Sequence, residues 1–269
     1  MSNLLRLRFA KSLATFCGTT CYAISVVASC LVLPAALAQE SPLEGAIEDF
    51  EYWQNLCQLH INAAEDKTVE EAQKEEYAKA LMACEQAIAL EPEDANTWVL
   101  HCSILLNTKK YPEAIASANR ALLFDQEHSL AITYQCIAYS ALNQTEAALD
   151  HCNQALRING NWGNNSPALA WLYRGIILSQ EEQYDRAVAA YERTLLLEPE
   201  YSFALAHQCD AYFALKQPSL ALETCNRALA VNQQWGEASP AMALTTIGKT
   251  YTQLGLYDDA IAANYQALN

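Results

Sequence analysis

Positive charge is scarce in this chain of 269 residues: 16 lysines and arginines stand against 31 aspartates and glutamates, for a formal charge of −15. A protein that neutralises a polyanion needs an electropositive surface, and no basic run interleaved with aromatics occurs anywhere, which argues against nucleic acid as a partner. Catalytic signatures are missing as well. There is no His-Glu-x-x-His, no glycine-rich phosphate loop and no nucleophile elbow. Beyond residue 38 no Cys-x-x-Cys spacing occurs, which removes the usual thiol redox centre. Alternating runs of strand-forming residues are absent too. With 52% hydrophobic and 17% charged residues, the chain is nevertheless too apolar for disorder. The expectation is a folded, non-catalytic protein with no cofactor and no metal site.

The first forty residues differ from the rest. Arg6, Arg8 and Lys11 precede an apolar stretch from about Leu13 to Leu37, the first acidic residue is Glu40, and Ala36-Leu37-Ala38 offers small residues where a signal peptidase reads. This is the pattern of a secretory signal over residues 1–38. Two alternatives stay open. The apolar stretch is long enough for an uncleaved membrane anchor, and Val27-Ala28-Ser29-Cys30 resembles a bacterial lipobox with Cys30 as the lipidated residue. Removal of 1–38 takes away three positive charges and no negative one, so the mature chain moves from −15 to −18. Export implies the periplasm, or the thylakoid lumen in a photosynthetic source.

From about Ala46 the pattern is helical nearly throughout. Residues 44–61 read as one amphipathic helix through Ile47, Phe50, Trp53, Leu56 and Cys57, and residues 70–90 as a second, stopped at Glu91-Pro92. Self-similarity follows. Ala80, Ala114 and Ala148 are 34 apart, as are Ala187 and Ala221, while Ala148 to Ala187 and Ala221 to Ala260 are 39 apart. Both longer steps coincide with related segments, Asn161-Trp162-Gly163 through Ser166-Pro167 and Gln234-Trp235-Gly236 through Ser239-Pro240. A 73-residue period therefore overlies the short one and relates Cys136 to Cys209, Cys152 to Cys225 and Trp162 to Trp235.

Antiparallel helix pairs that cannot bury both apolar faces alone stack on their neighbours, and alanine lets the backbones approach. The segments Trp98…Cys102…Leu105…Tyr111…Ala114…Ala121, Trp171…Gly175…Leu178…Tyr184…Ala187…Tyr191…Pro199 and Leu244…Gly248…Tyr251…Tyr257…Ala260…Ala267 resemble tetratricopeptide repeats. Cys102, Cys136 and Cys209 take the place of the motif's first-helix glycine. The resemblance implies an all-α, right-handed solenoid of antiparallel helix pairs. Its organisation would be a leader (1–38), N-terminal helices with a partial repeat (39–92) and about five repeats (93–269). A repeat of this kind is a scaffold, so its function has to be argued from its surfaces.

Seven cysteines follow the leader: Cys57, Cys84, Cys102, Cys136, Cys152, Cys209 and Cys225. Residues equidistant from the turn of an antiparallel pair face each other, which Cys136 with Cys152 and Cys209 with Cys225 satisfy. Two disulfides are expected there, a third between Cys84 and Cys102 across a repeat junction, and Cys57 free. The alternative is that all are reduced small hydrophobes.

The resemblance also implies a ligand peptide or partner protein on the concave surface of the first helices. The candidate lining is Asn96, Val99, Ser103, Thr133, Leu169, Leu172, Ile176, Phe203, Asp210, Phe213, Met242 and Lys249. Trp162 and Trp235, in the lengthened loops, offer a second contact surface or cap a helix end. The run Glu65, Asp66, Glu70, Glu71, Glu75 and Glu76 reads as a solvated face. At the end of the chain, Ile261 and Leu268 leave an apolar face for a partner or a second copy, and a membrane is touched only through an uncleaved N-terminal segment. The expected function is an exported protein-binding scaffold serving assembly of an envelope or membrane complex, with a self-oligomerising repeat module as the alternative.

Overall fold

The computed structural model describes residues 49–67, 69–163, 165–231, 235 and 239–268. The leader, with its cleavage and lipidation readings, lies outside them, as does the start of the first amphipathic helix. Twelve helices and no strands occur among the described residues, in six antiparallel pairs: α1 (Phe50–Glu65) with α2 (Glu70–Leu90), α3 (Ala95–Asn107) with α4 (Tyr111–Phe124), α5 (Ser129–Ala141) with α6 (Thr145–Ile158), α7 (Ala168–Gln180) with α8 (Tyr184–Leu197), α9 (Ser202–Ala214) with α10 (Pro218–Val231), and α11 (Pro240–Gln253) with α12 (Tyr257–Ala267). No described helix is long and apolar enough to cross a membrane.

The turn inside a pair is built the same way five times. The residue two past the end of the first helix is left-handed, with φ of 60° at Lys109, 57° at Asn143, 58° at Glu182, 57° at Lys216 and 76° at Gly255. Behind it the next N–H reaches back to the helix, from Lys110 to the Leu105 carbonyl at 2.8 Å and from Leu256 to that of Tyr251 at 2.9 Å. This closure satisfies carbonyls that the helix end would otherwise leave unpaired. Glycine takes the strained position only once, so the tight turn is held by its hydrogen bonds and by the packing of the two helices.

Between pairs, each second helix packs on the next first helix, and successive first helices also touch: α1 with α3, α3 with α5, α5 with α7, α7 with α9 and α9 with α11. No two successive second helices make a comparable contact. The stack therefore curves with its first helices on the inner, concave side. Buried alanines at Ala80, Ala114, Ala148, Ala187, Ala221 and Ala260 recur where helices approach within a pair.

One facing position recurs in each pair, and its occupants alternate. Disulfides join Cys57 to Cys84, Cys136 to Cys152 and Cys209 to Cys225, with Cα separations of 5.2, 5.3 and 5.3 Å. In the pairs between and after them the same site holds Cys102 facing Ala118, Gly175 facing Tyr191, and Gly248 facing Asn264. Cys84 thus bonds Cys57 rather than Cys102, and Cys57 is not free. The reason lies in helix length: α1 and α2 have 16 and 21 residues against 13 and 14 in α3 and α4, which moves the turn outward and stretches the separation of facing positions from 16 to 27. Cys102, left opposite an alanine, is a buried thiol whose Sγ donates to the Ala114 carbonyl at 3.2 Å. Burial pushes its pKa far up, so it is neither a nucleophile nor a ready redox group.

Candidate binding groove

The inner surface is formed by positions that recur along α3, α5, α7, α9 and α11. Four of the sequence candidates do not reach it. Val99 (4% exposed), Thr133 (0%), Leu172 (0%) and Phe203 (8%) are buried. They fall where successive first helices abut, so inter-repeat packing closes the surface they were expected to offer. Asn96 is exposed, while Ser103, Leu169, Ile176, Asp210, Phe213 and Met242 are half-buried and Lys249 is exposed. Asn96 is also anchored: its Oδ1 meets His128 Nε2 at 3.3 Å, and His128 Nδ1 accepts from the Ala131 N–H at the start of α5. Ser103 donates to the Leu100 carbonyl.

The structure brings four candidates together at the C-terminal end of the groove. Asp210, Met242 and Lys249, with Thr246, line one cleft between α9 and α11, where Thr246 Oγ1 donates to Asp210 Oδ1 at 3.2 Å. Phe213, Lys216, Lys249, Thr252 and Asn264 line a second, more apolar cleft reaching α12. Lys249 is common to both. Lys216 and Asn264 were not among the candidates. Neither lies on a first helix, and only the folded turn of one pair and the second helix of the next bring them to the groove's edge.

Deeper in this region His207 sits between two rings, 4.6 Å from Phe203 edge-on and 6.0 Å from Tyr191 in a stack. Burial lowers its pKa to about 4, against a smaller opposing pull from Asp210. Burial lowers His101, His128 and His151 as well. For all four the unfolded chain takes up protons that the folded chain refuses. Their contribution is therefore present above the unfolded pKa near 6.5 and is lost as the pH falls through the folded values. His207 alone is expected to remove about 2 kcal/mol between pH 7 and pH 5. Urea unfolding at the two pH values measures the loss, and His207→Phe, which keeps an aromatic ring between Phe203 and Tyr191, should shrink the difference by about that amount.

Trp162 and Trp235 both pack against the core. Trp162 packs against the cluster of Ile132, Ala155 and Ala170, with its Nε1 donating to Asn159 Oδ1 at 3.0 Å, and Trp235 packs against the main core cluster, which runs from α7 to α12. Three carboxylates of the acidic run are held in pairs: Lys74 with Glu70, Lys79 with Glu75 and Glu76, and His60 Nδ1 with Glu76 Oε2 at 2.7 Å. Among the described residues no three His, Cys, Asp or Glu side chains converge as a metal site would require.

The tetratricopeptide repeat family matches residues 168–201, which span α7, α8 and the approach to α9. The small glutamine-rich tetratricopeptide repeat-containing protein of Dictyostelium discoideum is 28% identical over 94 residues; the match takes in 35% of this chain and 27% of that one. Among solved structures, PilW, a widely conserved type IV pilus biogenesis factor, is 19% identical with a TM-score of 0.63 over 78% of this chain and 91% of its own. Pseudomonas aeruginosa pilF gives 14% and 0.64 over 82% and 91%. YrrB, a tetratricopeptide repeat protein with an unusual peptide-binding site, gives 21% and 0.51 over 70% and 92%. At these identities the structural likeness speaks for fold. With six stacked helix pairs, a matched repeat at α7–α8 and this likeness, the chain has a tetratricopeptide-like repeat fold.

Proposed function

We propose that this chain is an exported, non-catalytic scaffold that holds a peptide segment or partner protein in its concave groove and assists assembly of an envelope or membrane complex. The observation that carries the binding role is the groove's C-terminal end, where Asp210, Phe213, Met242 and Lys249 meet in adjoining clefts on first-helix positions. Export is supported by the leader pattern of residues 1–38 and by three disulfides, which persist in oxidising compartments such as the periplasm. PilW, similar in fold, is itself a pilus biogenesis factor, in keeping with an envelope role.

Capture from a native extract with the mature chain tests the reading when the two faces are compared. Ile176→Arg with Asp210→Arg on the concave side should abolish recovery of a reproducible partner, whereas Leu123→Arg with Leu196→Arg, both exposed on second helices, should not. Loss only with the second pair of substitutions refutes groove binding. Recovery of nothing but further copies favours self-association, to which the exposure of Ile261 (68%) and Leu268 (85%) lends a surface.

A further inference from the structure

The two ends of the stack present the two halves of a junction that the chain forms repeatedly inside itself. In every second helix, two positions seven residues apart carry leucine, isoleucine or valine, as do Leu149 and Leu156 of α6 or Val188 and Leu195 of α8. In every first helix, two positions seven apart face the preceding pair, as do Ala170 and Ile177 of α7. Where α6 meets α7 the two sets interlock. Leu149 packs in the cluster that holds Ile177, and Leu156 in the one that holds Ala170.

At the ends, no neighbouring helix covers these positions among the described residues. In α12 they are Ile261 and Leu268, 68% and 85% exposed, whereas in the other five second helices they are buried or half-buried. In α1 they are Tyr52 and Leu59, 43% and 60% exposed, whereas in the other five first helices they are at most 2% exposed. A repeat that meets only water carries a polar outer face. Both ends here keep the apolar residues of an internal junction instead.

Charge does not draw the ends together. Neither α1 nor α12 contains a lysine or arginine, and each has acid in its first turn, Glu51 in one and Asp258 with Asp259 in the other. Tyr52 and Leu59 are also bulkier than the alanines at the same positions of α5 and α9. The spacing at such a joint therefore falls toward the wide end of the usual 8–10 Å or so for packed helices, which makes it weaker than an internal junction and reversible.

We propose that α12 of one copy receives α1 of a second, with Ile261 against Leu59 and Leu268 against Tyr52, so that copies join head to tail. The two surfaces differ, so the contact does not close on itself and copies can add at either end. Neither end lies on the concave side, and assembly is independent of what the groove holds.

Sedimentation velocity of the mature, disulfide-bonded chain from micromolar to near-millimolar concentration tests this. The parent should pass from monomer to dimer and longer species, and added salt should favour assembly by screening the acidic ends. A tail variant, Ile261→Glu with Leu268→Glu, and a head variant, Tyr52→Glu with Leu59→Glu, should each weaken assembly about tenfold or more. All four sites are exposed, so the melting curves should be unchanged. An equimolar mixture of the two variants should form heterodimers and nothing longer, because one copy offers only its head and the other only its tail. The concave pair Ile176→Arg with Asp210→Arg should assemble like the parent. A parent that stays monomeric, a head variant that assembles normally, a mixture without heterodimers, or loss of assembly in the concave pair overturns the proposal. The second of these outcomes would indicate tail-to-tail pairing, and the last a copy seated in the groove.

Discussion

Full reduction of the three disulfides is expected to remove most of the stability of the stack. By the loop-closure relation a bond closing 16 residues contributes about 3 kcal/mol and one closing 27 about 3.5 kcal/mol. Together these approach the whole stability of an ordinary domain, about 5–15 kcal/mol. The urea midpoint of protein reduced and alkylated in denaturant, then refolded, should fall steeply from that of the oxidised form. An unchanged midpoint, with complete alkylation confirmed by mass, would show that the bonds only decorate contacts that hold by themselves. Because each bond lies within a helix pair and none crosses between pairs, its loss acts first on one unit. Neighbours that stack on that unit then lose their partner surface, as the nearest-neighbour coupling of repeat arrays requires. The converse change tests the same geometry: Ala118→Cys places a thiol opposite the buried Cys102 at the facing position, and the new bond should raise stability by about 3 kcal/mol.

The cysteine pattern also shows what the sequence makes legible. The 34-residue period reveals the helix pairs because alanine recurs where backbones approach, and it aligns Cys136 with Cys152 and Cys209 with Cys225 across equal 16-residue separations. It misleads at Cys57 because the rule of equal separation assumes equal helix lengths, and α1 and α2 are longer. The signal for Cys102 was present in the same alignment, in which Ala118 takes the place of the partner thiol. For the groove, periodicity identifies the inner helices but not how deeply each position lies. Val99, Thr133 and Leu172 share one position of the repeat, and the curvature of the stack, which no local pattern encodes, closes it. Lys216 and Asn264 escaped because a turn residue and a second-helix residue join the groove only through folding.

Gly175→Ala and Gly248→Ala should have opposite effects on stability, although they make the same change at equivalent positions. A Cβ on Gly175 would stand 2.5 Å from Tyr191 Cε1 and 2.7 Å from Cδ1. That ring has nowhere to go: Tyr191 is 0% exposed, its hydroxyl lies 3.1 Å from Ser179 Oγ, and His207 stacks on it. Overpacking of this kind costs about 1–3 kcal/mol or somewhat more, against about 1 kcal/mol that alanine gains over glycine inside a helix. A net loss of about 2 kcal/mol is expected, and Tyr191→Leu in the same chain should relieve much of it, which a double-mutant cycle would read as coupling between the two sites. On Gly248 the new Cβ meets the amide end of Asn264, a side chain on an exposed residue that can rotate away. There the helix preference should prevail, and the variant should be unchanged or more stable by up to about 1 kcal/mol. Equal destabilisation by the two substitutions would mean that Asn264 is held as firmly as Tyr191, and the distinction between a buried ring and an exposed amide would be lost.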